Sequence, residues 1–101
     1  MEKLKKTAYR LQISEMLNNF SQNIGLLAAI FTTIAFVPQV LKIYKTKSVE
    51  DISLPMWIIF SFGVFLWFIY GILIMSLPVI LANIITLMLS LFILFFKIKY
   101  R

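Results

Sequence analysis

The sequence predicts an all-α membrane protein, a bundle of three transmembrane helices, and two observations carry that prediction. Of the 101 residues, 61% are hydrophobic and 16% aromatic. Mean hydropathy is +0.95, whereas a soluble domain is apolar over only about half its residues. The second observation is where the apolar residues fall. No charged residue occurs from Ile52 to Phe96, and the chain divides into three apolar runs of about 20 residues, each enough for one helical crossing of a bilayer. Three helices are too few to enclose a solute path, so self-association is expected.

Residues 1–22 precede these runs and mix Lys3, Lys5, Lys6 and Arg10 with Leu4, Tyr9, Leu11, Ile13, Leu17 and Phe20. They read as a basic N-terminal tail or a short interfacial helix. The basic start leads into a polar amphipathic stretch, with no short apolar core and no A-x-A site, so a cleaved signal peptide is not expected. Residues 23–101 read as one three-helix domain, without internal repeat or flexible linker.

The first span is expected from Ile24 to Tyr44, capped by Ser21, Gln22 or Asn23 and followed by lysines. The second runs from Leu54 to Ile74. Ser53 is its N-cap, Pro55 lies in its first turn, and Glu50 and Asp51 stand near its positive end. The third runs from Leu77 to Phe96 and is entered in the same way through Ser76 and Pro78. Trp57, close to a helix start, reads as a membrane-interface aromatic.

Charge sets direction. The first span ends in Lys42, Lys45 and Lys47; Lys97, Lys99 and Arg101 follow the third, and Gly71 to Pro78 carries no charge. Both basic segments are therefore expected in the cytoplasm and the N-terminus outside. The net charge of +6 is accounted for by topology, without nucleic acid as a partner.

Chemistry has few groups to use. Cysteine and histidine are absent, which leaves no thiol nucleophile, no disulfide and no usual transition-metal ligand. General acid–base catalysis needs a titratable group at the site, and proton coupling needs one inside the membrane. No Asp, Glu, His, Lys or Arg lies in the second and third spans, and none in the first before Lys42. An enzyme and an energised pump are thereby disfavoured, a passive conduit is favoured, and no cofactor is expected.

The polar and aromatic groups within the spans are Thr32, Thr33 and Gln39, then Trp67 and Tyr70, then Asn83 and Thr86. Trp67 and Asn83 lie on either side of a short turn, each about 8–10 Å below the same surface at 1.5 Å per residue. An amide and an indole suit a neutral polyol: the amide bonds hydroxyls, and the ring covers a C–H face. The competing roles are oligomer glue for Asn83 and packing for Trp67. Gly63 and Gly71 flank Trp67 at four-residue spacing and read first as helix-packing positions, as do Gly25 and Ala28–Ala29.

Pro38-Gln39 interrupts the first span. Proline removes one backbone hydrogen bond and crowds the Ile34 carbonyl, so a kink or loosening is expected one turn earlier, with Gln39 positioned to satisfy the freed groups. Irregular backbone at membrane depth accompanies motion or binding.

Three blocks in order carry a resemblance: FTTIAFVPQVLKIYKTKSVEDIS (Phe31–Ser53), MWIIFSFGVFLWFIYGI (Met56–Ile72) and LPVILANIITL (Leu77–Leu87). Over residues 24 to 98 the chain resembles the bacterial SemiSWEET sugar transporters of the PQ-loop superfamily. That resemblance implies helices packed in the order first, third, second, and a parallel homodimer around a central path. It also implies facilitative (uniport) carriage of a mono- or disaccharide by alternating access in the bacterial inner membrane. Trp67 and Asn83 would bind the sugar, and Pro38 would be the hinge of the inner gate, with Gln39 beside it. The charged outer latch of some members is replaced here by Ile72-Leu73-Ile74-Met75-Ser76, which leaves an apolar or aromatic outer gate with Tyr70 as its candidate. Gly63 leaves room beside Trp67 for a disaccharide. The alternatives are a PQ-loop carrier for another metabolite such as an amino acid, a holin-like pore, or an accessory membrane protein. A small multidrug exporter would require an intramembrane carboxylate and a fourth span.

Overall fold

The structure, a computed structural model, describes residues 1–101. It contains three helices: α1 (Glu2–Thr46), α2 (Leu54–Leu73) and α3 (Leu77–Lys99). All three are long and apolar enough to cross a membrane.

The start of α1 differs from expectation. The first span is the second half of a 45-residue helix that begins at Glu2, and the molecule is accordingly 70 Å long. No Gly or Pro precedes Gly25, and Glu, Lys, Arg, Gln and Leu all propagate a helix well. The anticipated cap at Ser21–Asn23 therefore does not form. The Ser21 hydroxyl instead donates 3.0 Å to the Asn18 carbonyl within the helix.

Helical backbone also continues through Pro38. Proline has no N–H to offer the Ile34 carbonyl, so one rung of the ladder is missing although the helix is not broken. Gln39 is exposed. The side chains of α1 that bond its own carbonyls are those of Thr7, Ser21, Thr32 and Thr46, so the expected repair by Gln39 within the protomer is not made.

The second and third helices start as their sequences require. The Ser53 hydroxyl accepts from the Met56 N–H at 3.3 Å and the Ser76 hydroxyl from the Val79 N–H at 3.5 Å, each followed by proline in the first turn. Between them lies a Schellman turn: Ser76 N–H donates to the Gly71 carbonyl and Met75 N–H to the Ile72 carbonyl. Met75 takes the left-handed conformation, φ 55°.

α3 packs against both other helices and lies between them, which gives the order first, third, second. Gly71 is the close-approach point of α2 on α3, since a Cβ there would lie 2.8 Å from Val79 Cγ1 and 3.1 Å from the Ile80 nitrogen. Gly25 does the same for α1, with Pro78 Cβ at 2.8 Å from the position a Cβ would take.

The core sits at the basic end. Ile43, Val49, Ile52, Ile93 and Phe96 form one buried cluster. Trp57, near the start of α2, packs against this cluster, edge-on to Phe36 at 6.1 Å and to Phe60 at 5.3 Å. Lys97 donates 3.0 Å to the Val49 carbonyl and ties the α1–α2 loop to α3. The Lys47 ammonium lies 4.2 Å from the Tyr44 ring centroid and 4.8 Å from that of Phe96, a cation–π contact at both faces.

Candidate functional site

At the opposite end, toward the α2–α3 turn, the helices enclose an open groove of about 380 Å³. Its walls are Gly25, Ala28, Ala29 and Thr32 from α1, Trp67 from α2, and Pro78, Val79, Ala82 and Asn83 from α3. The two residues singled out on depth, Trp67 and Asn83, thus line one groove although they belong to different helices. Both are six residues from the Leu73–Leu77 connection, and equal rise per residue brings them to equal depth.

The groove is narrow at α1 because of residue size. Gly25, Ala28 and Ala29 let α1 approach α3, and the same small side chains leave the space that becomes the groove. Packing and cavity formation are here one property of the stripe.

Its polar groups are few and oriented. Asn83 donates through Nδ2 to the Val79 carbonyl at 2.8 Å, which fixes the amide and leaves Oδ1 as an acceptor with one N–H still to give. Thr32 donates 3.1 Å to the Ala29 carbonyl, so its oxygen remains an acceptor. Trp67 is 57% exposed. Tyr70 packs edge-on against it, with ring centroids 5.4 Å apart and planes at 87°. A flat apolar face, a donor and several acceptors without formal charge match the surface of a neutral polyhydroxy compound.

Gly63 stands apart from the other glycines. A Cβ there would meet nothing within 4 Å, so it is not a packing position in the protomer. It lines a shallow depression with Leu66, Trp67 and Tyr70, on the flank of Trp67.

A second concavity opens above the groove, walled by Asn18, Ser21, Gln22 and Gly25 of α1 and by Ile74, Met75, Ser76, Pro78 and Val79. It shares Gly25, Pro78 and Val79 with the groove, so the two are continuous. Sequence reasoning did not find this polar mouth, because it depends on α1 remaining helical above Ile24.

Pro38 and Gln39 lie outside the groove. Gln39 follows Thr32 by seven residues and therefore lies on the groove-facing side of α1, two turns toward the basic end. Below it, Ile43, Tyr44 and Lys47 are packed on the end of α3.

One polar pair was not anticipated. Ser61 and Ser90, 8% and 0% exposed, are joined across α2 and α3 by a hydroxyl hydrogen bond of 3.0 Å, and Ser90 also donates to the Leu87 carbonyl. The only sequence signal was a lone serine in each of two apolar helices.

Comparison with known proteins agrees with this geometry. The PQ loop repeat family model matches residues 20–80. The sugar transporter SemiSWEET of Leptospira biflexa is 52% identical over 75 residues, which are 74% of this chain and 88% of the relative. That of Bradyrhizobium diazoefficiens is 44% identical over 77 residues, 76% of this chain and 90% of the relative. A crystal structure of a bacterial homologue of SWEET transporters superposes with a TM-score of 0.76 at 52% identity, covering 81% of this chain and 99% of the other. A SemiSWEET crystal structure in the inward-open conformation gives 0.73 at 42% identity, over 77% and 91%. Matched across its three-helix unit in sequence and in structure, the chain belongs to the SemiSWEET group of the PQ-loop family.

Proposed function

We propose that this protein is a facilitative sugar carrier: a parallel homodimer in the bacterial inner membrane, N-terminus outside, moving a mono- or disaccharide down its gradient by alternating access. The observation that carries the reading is the shared groove. Trp67 and Asn83 wall one uncharged site, in a chain whose relatives in Leptospira biflexa and Bradyrhizobium diazoefficiens are sugar transporters. Trp67 covers the C–H face of a sugar ring, and Asn83 accepts from and donates to its hydroxyls. Gly63 leaves the flank of Trp67 open to a second ring, and Tyr70 closes the outer side. Pro38 and Gln39 govern the inner side, where α1 lacks one backbone bond. With no titratable side chain in the groove, flux follows the sugar gradient alone.

The test is counterflow of labelled glucose, sucrose and amino acids in proteoliposomes. Saturable sugar exchange is expected. Trp67→Ala and Asn83→Ala should each lower it by about five- to tenfold, the consequence of losing one well-formed contact of about 1–1.5 kcal/mol, while the dimer persists. Wild-type exchange in both variants would remove the site assignment. Selective amino-acid exchange would identify a different cargo, and unselective leak would identify a pore.

A further inference from the structure

The segment Glu2–Gln22 lies almost wholly before the family match, which begins at residue 20, yet it is helical and continuous with α1. At 100° per residue, Tyr9, Ile13, Met16, Leu17 and Phe20 fall within an arc of about 100°. All five are exposed. Ile24, Leu27, Phe31 and Ile34, the outward face of the span, continue the same arc and are exposed as well. Leu4 and Leu11 stand off the stripe. Asn18, Ser21 and Gln22 are on the other side of the helix, facing the mouth above the groove.

This arrangement decides between two occupants for the stripe. A second copy bound across the groove would meet the polar side of the segment, not the apolar one. The bilayer lies on the apolar side. Lys5 flanks the stripe on one edge, Lys3 and Arg10 flank it on the other, and Lys6 stands within it, a placement from which long basic side chains reach headgroups while the stripe is buried. Against these four cations the segment carries only Glu2 and Glu15.

We propose that Glu2–Gln22 docks on the surface of the surrounding membrane by contact with anionic lipid headgroups and so fixes the outer end of α1. Docking requires the helix, continuous here from Glu2 to Thr46, to bend within Asn18–Asn23, where Asn, Ser and Gln concentrate and where the Ser21 hydroxyl already engages the Asn18 carbonyl. Bending outward turns the outward-facing stripe down onto the bilayer and leaves the polar side in water. A straight segment would instead hold five large apolar side chains in water.

The chain has no native cysteine, so single-cysteine variants of the full protein can be spin-labelled without background. Ile13→Cys lies on the stripe and Glu15→Cys about 160° away. In vesicles of phosphatidylcholine mixed with phosphatidylglycerol, the label at position 13 should be accessible to oxygen and shielded from an aqueous nickel complex, and the label at 15 should behave oppositely. Changing Lys3, Lys5, Lys6 and Arg10 to Gln should reduce the ratio of docked to undocked segment by about fivefold per charge that reaches the surface, without loss of transport. Equal exposure of both labels to nickel in anionic vesicles overturns the proposal. Shielding at position 13 that persists in phosphatidylcholine and detergent, with strong dipolar coupling between the two labels of a dimer, also overturns it and assigns the stripe to a second copy.

Discussion

Two non-glycine residues, Lys47 and Met75, hold positive φ, and their side chains fare differently. Each bears the crowding between Cβ and carbonyl that glycine avoids, about 1–2 kcal/mol. Lys47 has compensation: its ammonium donates to the Tyr44 carbonyl and lies over the Tyr44 and Phe96 rings. Met75, 85% exposed, has little packing to offset the crowding. Met75→Gly should therefore stabilise the protein by about 0.5–1 kcal/mol, after the greater freedom of glycine in the unfolded chain offsets part of the relief. Denaturant unfolding in detergent measures this, with Met75→Ala as the control that removes the side chain but keeps the crowding. Equal midpoints for the two variants would show that the turn is not strained. The residues that were legible beforehand are those fixed by a local rule: Ser53 and Ser76 by capping, Trp67 and Asn83 by counting from one turn. Ser61 and Ser90 were not legible, since a serine in an apolar helix usually bonds its own preceding turn, and only the lateral register of α2 on α3 brings the two hydroxyls together.

The elements repeat that division. α2 and α3 were readable to within a few residues because proline and serine mark their starts and the Gly71–Ser76 segment marks the turn. The beginning of α1 was misplaced because hydropathy reports where a helix enters lipid, not where it starts. Pro38 was readable as a missing backbone bond, although the helix remains continuous through it. Its consequence depends on what surrounds it. Toward the basic end, Tyr44 and Lys47 are clasped to Phe96 and Tyr100, whereas the groove end of α1 touches α3 through small residues. The missing rung lies between these two contacts, where the proposed hinge would have to act. Pro38→Ala restores the bond and stiffens this point. It should slow sugar exchange severalfold while the apparent binding constant stays within about twofold; weakened binding at normal turnover would contradict a hinge role. Equilibrium sugar binding measured beside counterflow separates the two outcomes.

As a whole the protomer is a slab of 70 × 22 × 15 Å in which only 11 of 101 residues are buried. Lipid covers most of the exposed apolar surface without cost, but it cannot serve the groove. The Asn83 carbonyl oxygen and the Trp67 indole N–H would lack partners in hydrocarbon, at a cost of some kcal/mol each. In the proposed homodimer, a second copy facing the groove would enclose these groups, admit water or sugar, and place two Trp67–Asn83 pairs around one path. A shared path has a quantitative consequence that separate grooves lack. When wild-type chain and Asn83→Ala chain are mixed equally before assembly, random pairing leaves about one quarter of the dimers wholly wild type. If both protomers contribute to one site and one damaged copy disables it, exchange falls to about a quarter. If each protomer carries sugar through its own groove, exchange falls only to about half. Counterflow across a series of mixing ratios distinguishes a squared from a linear dependence on the wild-type fraction, and a linear one would mean that the groove works within a single chain.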